Sequence, residues 1–272
     1  MKLFTRITLL LTAATATFTL AACGDDTYTI GASPTPHSEM LAQAQDALSE
    51  DGIEFDIVEF NDYVQPNTAL DEGELDANFF QHIQYLEGQI DEHGYAFTSV
   101  HEVHIEPIGL YTQTYDSLDE LPEALEIIVS NSPSDRPRLL QVLEDNDLLT
   151  INDDVSSSDI VDANVNDLPE LFDSEHTIEF TEIDPPQLYT NYANESGDLV
   201  LINGNFAMDN DLNPLEDALA IESTDVPFVN VLVTSEGQED DPVLEAIIDY
   251  FQTEEFQTWM EETYDGAVIP AD

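Results

Sequence analysis

The sequence predicts an α/β protein on the evidence of three features. Short apolar stretches typical of strands alternate with amphipathic helical segments along the whole chain. Hydrophobic residues make up 42% and aromatic residues 9% of the 272 residues, enough for one large core or two smaller ones. No fixed-period repeat and no low-complexity run interrupts the pattern. Because strands separated by helices usually run in the same direction, we expect largely parallel sheets.

The individual elements follow from local periodicity and from breakers. In the first helix, Met40, Leu41, Ala44 and Leu48 lie on one face, and Gly52 ends it. The Asp/Ser-rich segment 153–159 is predicted to be a surface loop. The expected strands are Tyr28–Ala32, Ile53–Phe60, one or two within Phe97–Tyr111 broken at Pro107, Leu125–Val129, Ile178–Ile183, Leu199–Ile202 and Phe228–Val233. The expected helices are Ser38–Ser49, Leu70–Leu75, Asn78–Ile90, Arg136–Asp145, Pro242–Gln252 and Thr253–Tyr264.

The N-terminus has the pattern of an export signal with a lipid anchor. Lys2 and Arg6 precede an apolar stretch that is too short for a comfortable membrane span. That stretch ends in Leu-Ala-Ala-Cys23, which resembles the bacterial lipobox, in which the cysteine carries the lipid. We therefore expect residues 1–22 to be a lipoprotein signal peptide, Cys23 to be lipidated and residues 23–27 to be a tether. Cys23 is the only cysteine, which excludes a disulfide within one chain.

The charge balance is extremely acidic. The chain has 59 Asp and Glu against four Lys and Arg, a net charge of −55. Without residues 1–22, which hold two of the four bases and no acid, the charge is −57. Such a chain has no basic footprint for nucleic acid and no basic patch for an anionic lipid surface. The surface is typical of a protein that works in high salt, although an alkaline habitat is the alternative explanation.

Signatures of catalysis are poor. The sequence contains no nucleophile elbow, no dinucleotide-binding or phosphate-binding glycine loop and no H-E-x-x-H zinc motif. His101 and His104 are close in sequence, but on a strand they face opposite sides, so a metal site is not expected. Pairs of carboxylates carry little information among 59 acids. We therefore expect no enzyme, no cofactor and no metal.

The rare bases are more informative than the abundant acids. After residue 22 only Arg136 and Arg138 remain, and both lie where a predicted strand passes into a predicted helix. Such turns bind ligands in α/β proteins, and an arginine there offers a two-pronged contact to a carboxylate. Pairing with surface acids is the alternative, which we prefer for Arg136. For Arg138 we favour ligand binding.

Several strings in order resemble the methionine-binding lipoproteins of bacterial ABC importers, the MetQ/NlpA type. The resemblance extends over nearly the whole chain after the signal segment, with motifs too specific for chance. The strings are GASPTPH at 31–37, IVEFNDYVQPN at 57–67, GELDANFFQH at 73–82, YL at 85–86, HIEPIGLY at 104–111, INGN at 202–205, VN at 229–230 and GAVIP at 266–270.

The resemblance implies a set of ligand-binding residues. Aromatic side chains could enclose a thioether, since sulfur gains from contact with rings. The arginine implied to bind the ligand carboxylate is Arg138, although it follows Pro137 where the family usually has a small residue. Core packing of the aromatics and turn formation by the asparagines are the alternatives. The implied set is Tyr63, Phe80, His82, Tyr85, Arg138, Asn203 and Asn230.

The resemblance also implies a fold and a function. The fold is a two-lobed type II periplasmic solute-binding protein with an interlobe ligand cleft, with lobe one at 27–107 plus 231–272 and lobe two at 108–230. Crossovers are expected near Pro107–Tyr111 and Phe228–Leu232. The implied function is capture of L-methionine, outside the cytoplasm and on a membrane anchor, for an ABC permease with its ATPase subunits.

Other functions remain as alternatives at this point. The ligand could be D-methionine, a methionine peptide, another small amino acid or a dipeptide. A structural surface lipoprotein or adhesin is disfavoured because the ligand residues that the resemblance implies are present although the surface is otherwise extremely acidic. An extracellular hydrolase is disfavoured because the sequence contains no nucleophile motif.

Overall fold

The computed structural model describes residues 27–223 and 227–271. The signal segment, the tether up to residue 26 and Cys23 lie outside the described residues. Within the described ranges, no helix is both long and apolar enough to cross a membrane.

Thirteen strands and ten α-helices are found in the described ranges. The strands are β1 (Tyr28–Ala32), β2 (Phe55–Glu59), β3 (Ala77–His82), β4 (Phe97–Ile105), β5 (Gly109–Tyr111), β6 (Ala124–Ser130), β7 (Thr150–Ile151), β8 (Phe172–Asp173), β9 (Thr177–Ile183), β10 (Leu199–Ile202), β11 (Ala220–Ile221), β12 (Val229–Ser235) and β13 (Ile269–Pro270). The helices are α1 (Glu39–Ser49), α2 (Gln65–Asp71), α3 (Ile83–His93), α4 (Arg136–Asp145), α5 (Ser157–Asp162), α6 (Leu188–Ala193), α7 (Gly204–Met208), α8 (Pro214–Asp217), α9 (Pro242–Phe251) and α10 (Glu254–Tyr264).

Lobe one is built on a six-stranded sheet in the order β13-β4-β12-β3-β1-β2. Successive residues of β12 alternate between its two faces, as the twofold period of a strand requires. Leu232 joins the core beneath α1, α9 and α10, whereas Val231 and Val233 pack beneath α2 and α3. The two C-terminal helices therefore complete a lobe that is otherwise formed by the first part of the chain.

Lobe two is built on a five-stranded sheet in the order β11-β5-β10-β6-β9. Strand β6, which lies between β10 and β9, is an apolar run towards its end because both of its faces are covered. Ile127 and Val129 pack with α4 and α5 on one face, while Ile128 packs with α6 and α7 on the other. The strands β7 and β8 form a small separate sheet.

The chain passes between the two sheets twice, between residues 105 and 109 and again between residues 221 and 229. Four strand ends or helix starts therefore converge at the cleft: β3 into α3, the 310 turn before α4, β10 into α7, and the start of β12. A ligand site between the lobes follows from this convergence.

Four sequence expectations are wrong. The helix expected at Leu70–Leu75 is α2 at Gln65–Asp71, because Pro66 is tolerated in a first helical turn and the chain leaves the helix before Gly73, which has a positive φ. The sheets are mixed, since β12 runs antiparallel to β3 and β4, and β5 antiparallel to β10. Residues 78–82 form a strand and not the start of a helix, because β3 is buried along its whole length and so lacks polar alternation. The expected loop at 153–159 contains the start of α5, which Ser156 and Asp159 cap reciprocally.

Candidate functional site

All seven residues of the expected ligand set line one pocket between the lobes. Its walls surround about 390 Å³ of empty space, part of which is open to solvent. The end of β3, the first turn of α3 and the start of β12 contribute from the six-stranded sheet and its helices, while the N-terminal ends of α4 and α7 contribute from the side of the five-stranded sheet. Sequence reasoning did not assign the remaining lining residues, Gln81, Glu106, Asp135, Gly204 and Asn205.

Three aromatic rings form one wall of the pocket. The ring centroids of Tyr63, Phe80 and Tyr85 lie 5.9–6.1 Å from one another. The Tyr85 hydroxyl donates to the Tyr63 carbonyl oxygen at 2.9 Å, and the Tyr63 hydroxyl donates to Asn205, so each ring has a fixed partner. Burial raises the pKa of both hydroxyls, so the wall is uncharged at neutral pH. The wall suits an apolar or thioether side chain.

His82 connects the lobes at the end of β3. Its Nδ1 accepts from the Tyr85 backbone N–H at 3.1 Å and so caps α3. The proton must then be on Nε2, which lies 3.1 Å from Oδ1 of Asp135 in lobe two. Burial alone would raise the pKa of Asp135, but the His82 hydrogen bond and the charge of Arg138 lower it overall. Asp135 is therefore a carboxylate that receives a lobe-one donor.

Arg138 is buried in the first turn of α4, with 4% of its surface exposed. Its Nε donates to Glu222 Oε1 at 2.9 Å, and its Nη2 donates to Glu222 Oε2 and to the Glu106 carbonyl oxygen, the latter at 3.0 Å. The guanidinium carbon lies 4.7 Å from the centroid of Phe228. None of the hydrogen bonds of the described residues uses Nη1. The arginine is thus already paired through Nε and Nη2, which leaves Nη1 for the pocket that it lines.

Arg136 lies away from the pocket. Its Nε donates to Glu182 at 2.7 Å, and its Nη1 donates to the carbonyl oxygens of Val161 and Ala163. This arginine therefore ties the start of α4 to β9 and to the end of α5. The interpretation of Arg136 as a structural ion pair agrees with these contacts.

Three asparagines present amide groups to the pocket. Asn203 donates from Nδ2 to Asp135 at 3.1 Å, while its Oδ1 is buried without a partner among the described residues. Asn205 accepts from the Tyr63 hydroxyl at 2.6 Å, and its Nδ2 is likewise buried and unpartnered. Asn230 Oδ1 lies 3.2 Å from His37 Nε2. Unpaired buried amide atoms are costly, so they point to a ligand that completes them.

Three buried acids of the site, Glu106, Asp135 and Glu222, could not be identified from the sequence. Glu106 and Glu222 are 6% and 2% exposed and Asp135 is 1% exposed, which is rare for carboxylates. Among 59 acidic residues, their residue type alone does not distinguish them. Glu106 does lie inside the string at 104–111, and Asp135 directly precedes Arg136, one of the two arginines singled out from the sequence. Glu222 is 84 residues from the arginine that it holds, and only the fold brings the two together.

The family of the chain follows from a match to a known protein-family model. The model of the NlpA lipoprotein family matches residues 28–272. The chain belongs to the NlpA lipoprotein family. The resemblance stated from the sequence strings is thereby confirmed, and the match extends over both lobes.

Relatives and solved structures support the same placement. The methionine-binding lipoprotein MetQ of Bacillus subtilis is 35% identical over 261 residues, covering 92% of this chain and 93% of that protein. The D-methionine-binding lipoprotein MetQ of Salmonella typhi is 31% identical, covering 92% of each. A nutrient binding protein of Burkholderia cenocepacia, solved bound to methionine, is 30% identical with a TM-score of 0.81, covering 90% of this chain and 100% of that one. The expected two-lobed solute-binding fold is confirmed by this likeness.

Proposed function

We propose that this protein is a lipid-anchored extracytoplasmic binding protein that captures L-methionine and delivers it to an ABC permease with its ATPase subunits. It is a binding protein and not an enzyme. Two relatives in sequence are named as methionine-binding or D-methionine-binding lipoproteins, and one similar solved structure is bound to methionine. The observation that carries the proposal is one pocket that joins a buried arginine to a wall of three aromatic rings.

The pocket offers each part of methionine a matching surface. Nη1 of Arg138 and the unpaired Nδ2 of Asn205 are donors for the α-carboxylate. The rings of Tyr63, Phe80 and Tyr85 surround the thioether. The amides of Asn203 and Asn230 complete the polar end of the pocket. His82 holds this arrangement through Asp135.

Ligand capture would proceed by closure of the lobes, with lobe one at 27–107 plus 231–272 and lobe two at 108–230. Hydrogen bonds of pocket residues join the facing walls of the cleft, among them those from His82 to Asp135 and from the Tyr63 hydroxyl to Asn205. Both form only when the cleft walls meet. Closure would remove the ligand from water and create the shape that a permease recognises, without any chemical step.

The N-terminal part of the proposal concerns the anchor. Residues 1–22 would be removed as a signal peptide, Cys23 would carry the lipid, and residues 23–27 would form the tether. The membrane would be reached through that lipid, and the acidic chain would bind no nucleic acid, cofactor or metal. Substitution of Cys23 by Ala should release the protein from the membrane fraction, and mass spectrometry of the parent should show the added lipid.

The acidic surface would be an adaptation to high salt. At 1 M salt the Debye length is about 3 Å, so like charges on the surface barely repel one another. A charge of −55 would be tolerated under those conditions.

A thermal-shift screen tests the function. The protein in 2 M NaCl is heated with each of the twenty amino acids, with D-methionine and with methionine dipeptides. We expect the largest rise in Tm with L-methionine, because a ligand that binds only the folded state stabilises it. A larger rise with D-methionine would assign the site to that enantiomer, which the relative from Salmonella typhi is named for. No rise with any methionine compound would refute the proposal.

A further inference from the structure

The Arg138 guanidinium is held by residues of the two segments that connect the sheets. Glu106 lies between β4 and β5, and its carbonyl oxygen accepts from Nη2 at 3.0 Å. Glu222 and Phe228 both lie between β11 and β12, where the glutamate pairs with Nε and Nη2 and the ring of Phe228 lies under the guanidinium. The orientation of this arginine therefore depends on residues that are distant from α4 in the sequence.

Phe228 contacts the arginine from a different direction than its hydrogen-bond partners. The guanidinium carbon lies over the Phe228 ring, 4.7 Å from the centroid, within the ~6 Å reach of a cation–π interaction. The face of an aromatic ring attracts cations, and a guanidinium is planar and weakly hydrated, so the two groups stack favourably. Glu222 thus holds an edge of the arginine, and Phe228 supports it through its ring face.

The ring of Phe228 is itself fixed. It packs edge-to-face with the ring of His82, with centroids 5.4 Å apart and an interplanar angle of 88°. The carbonyl oxygen of the preceding residue, Pro227, accepts from Nε2 of Gln84 in the first turn of α3 at 2.8 Å. A side chain that is held in this way can orient the group that stacks on it.

Phe228 also lies beside an open groove. This groove contains about 1440 Å³ of empty space, part of it open to solvent, and is lined by residues of α3, of α5 and of the turn before α4. Phe228 lines the groove, whereas Arg138 lines the ligand pocket. The ring therefore lies between the guanidinium and the water of the groove, and a cation–π interaction is stronger where water is excluded.

Packing in the core is the alternative role for a buried phenylalanine. Phe228 is 9% exposed, yet among the described residues it belongs to none of the hydrophobic clusters that fill the two sheets' cores. Its recorded ring contacts are with Arg138 and His82, two polar side chains of the pocket. These contacts favour a role in the site over a role in the core.

We propose that Phe228 is a positioning residue for the carboxylate site, which holds the guanidinium of Arg138 over its ring with Nη1 available to the pocket, and so raises the preference of the cleft for ligands with a free carboxylate. This inference rests on the proposed function and adds to it a residue outside the pocket lining. An aliphatic side chain of similar size would still cover the arginine, but it has no ring face to attract a cation.

Calorimetry on the full chain in 2 M NaCl tests the inference with two ligands, L-methionine and L-methioninamide, in which an uncharged amide replaces the carboxylate. The affinity for the amide is measured by competition with methionine. In Phe228→Leu, methionine affinity should fall by about tenfold, the scale of a desolvated cation–π contact, while the affinity for the amide should change by less than about twofold.

Two further variants make the comparison specific. Phe228→Tyr restores an aromatic face and should restore most of the preference for methionine over its amide. Phe172→Leu is the matched control, because Phe172 on β8 is 7% exposed, close to the value for Phe228, and lies outside the pocket lining. It should keep the parent's preference.

The outcomes separate the two proposals. A parent that binds no methionine refutes the proposed function. A parent that binds methionine, with a Phe228→Leu variant that keeps the preference or loses both ligands equally, overturns only the positioning role, as does a Phe228→Tyr variant that behaves like Phe228→Leu. If the melting curve shows that Phe228→Leu is unfolded, Phe228→Met replaces it under the same criteria, because a methionine side chain also fills the space without an aromatic face.

Discussion

Arg138 and Glu222 form a buried ion pair whose partners are 84 residues apart in the sequence, with Nε of the arginine 2.9 Å from Oε1 of the glutamate. The two residues are 4% and 2% exposed. Glu222 also accepts from the Ile108 backbone N–H at 3.1 Å, so it is fixed to the segment that enters lobe two. The arginine that we assign to the ligand carboxylate is therefore oriented before any ligand arrives.

The first prediction concerns this pair. Glu222→Gln should lower the free energy of unfolding by about 3–5 kcal/mol, because it leaves a buried guanidinium without its counter-charge. Glu182→Gln removes the partner of the less buried Arg136 and should cost distinctly less. Urea unfolding of both variants at one high salt concentration makes the comparison. Equal losses of unfolding free energy would show that the buried pair stabilises the fold no more than the less buried one.

The second prediction concerns the aromatic wall. Phe80→Ala and Tyr85→Ala should each weaken methionine binding by about 2 kcal/mol or more, because truncation removes a ring that contacts the ligand side chain. Tyr95→Ala, on an aromatic residue of lobe one outside the pocket lining, should leave the affinity unchanged. Calorimetric titration measures the three affinities. Parent-like binding by both pocket variants would show that these rings serve the packing of the fold and do not contact the ligand.

The third prediction concerns salt. The Tm of the protein should climb steeply from 0.1 M to 2 M NaCl, because the Debye length falls from about 10 Å to below about 3 Å and the surface carboxylates cease to repel one another. A chain with a net charge of −55 has much repulsion to lose. Scanning calorimetry across the salt series gives the profile. A flat profile would favour an alkaline habitat as the origin of the acidity.

The fourth prediction concerns pH and His104. Burial lowers the pKa of His104 to about 3 in the folded protein, whereas an unfolded histidine titrates near pH 6.5. Between these values the unfolded chain binds a proton that the folded protein refuses, so acidification below about pH 6.5 destabilises the fold. His104→Gln should flatten this dependence by up to about 1.4 kcal/mol per pH unit between pH 6 and 4.

Unfolding by urea at a series of pH values measures this slope. Above pH 7 the parent and His104→Gln should show the same dependence, since the histidine is neutral in both states there. Identical slopes of the two proteins below pH 6 would mean that His104 is protonated in the fold, and would contradict the lowering of its pKa by burial.

Much of the fold could be predicted from local signals, and the exceptions have a physical cause. The helix at 136–145 and the strand at 199–202 have the bounds that periodicity predicts. Strand β3 was mistaken for a helix because complete burial removes the alternation of polar and apolar residues that identifies a strand. The mixed sheets were missed because pairing direction depends on the return of β12 from the second lobe, which no local pattern records.

The site divides in the same way. Arg138 could be singled out from its rarity and its place before a helix, and the resemblance supplied the aromatic residues and the asparagines that the pocket brings together. The acids that define its charge could not be found, because Glu106, Asp135 and Glu222 differ from the other acids only in burial. Burial of a particular carboxylate depends on the tertiary structure, so it cannot be recognised from the residue type or its neighbours in the sequence.

Calorimetric titration of L-methionine into the parent, Arg138→Ala and Arg136→Ala at one high salt concentration tests the central claim most directly. The two arginines carry equal charge two positions apart, so their long-range effects on an anion are nearly equal and are screened. Arg138→Ala should cost about 2–5 kcal/mol of binding free energy, and Arg138→Lys should restore only part of it. Arg136→Ala should change it by less than about 1 kcal/mol, as its contacts lie outside the pocket. Equal losses at the two positions, or a larger loss at 136, would contradict the assignment of the carboxylate to Arg138.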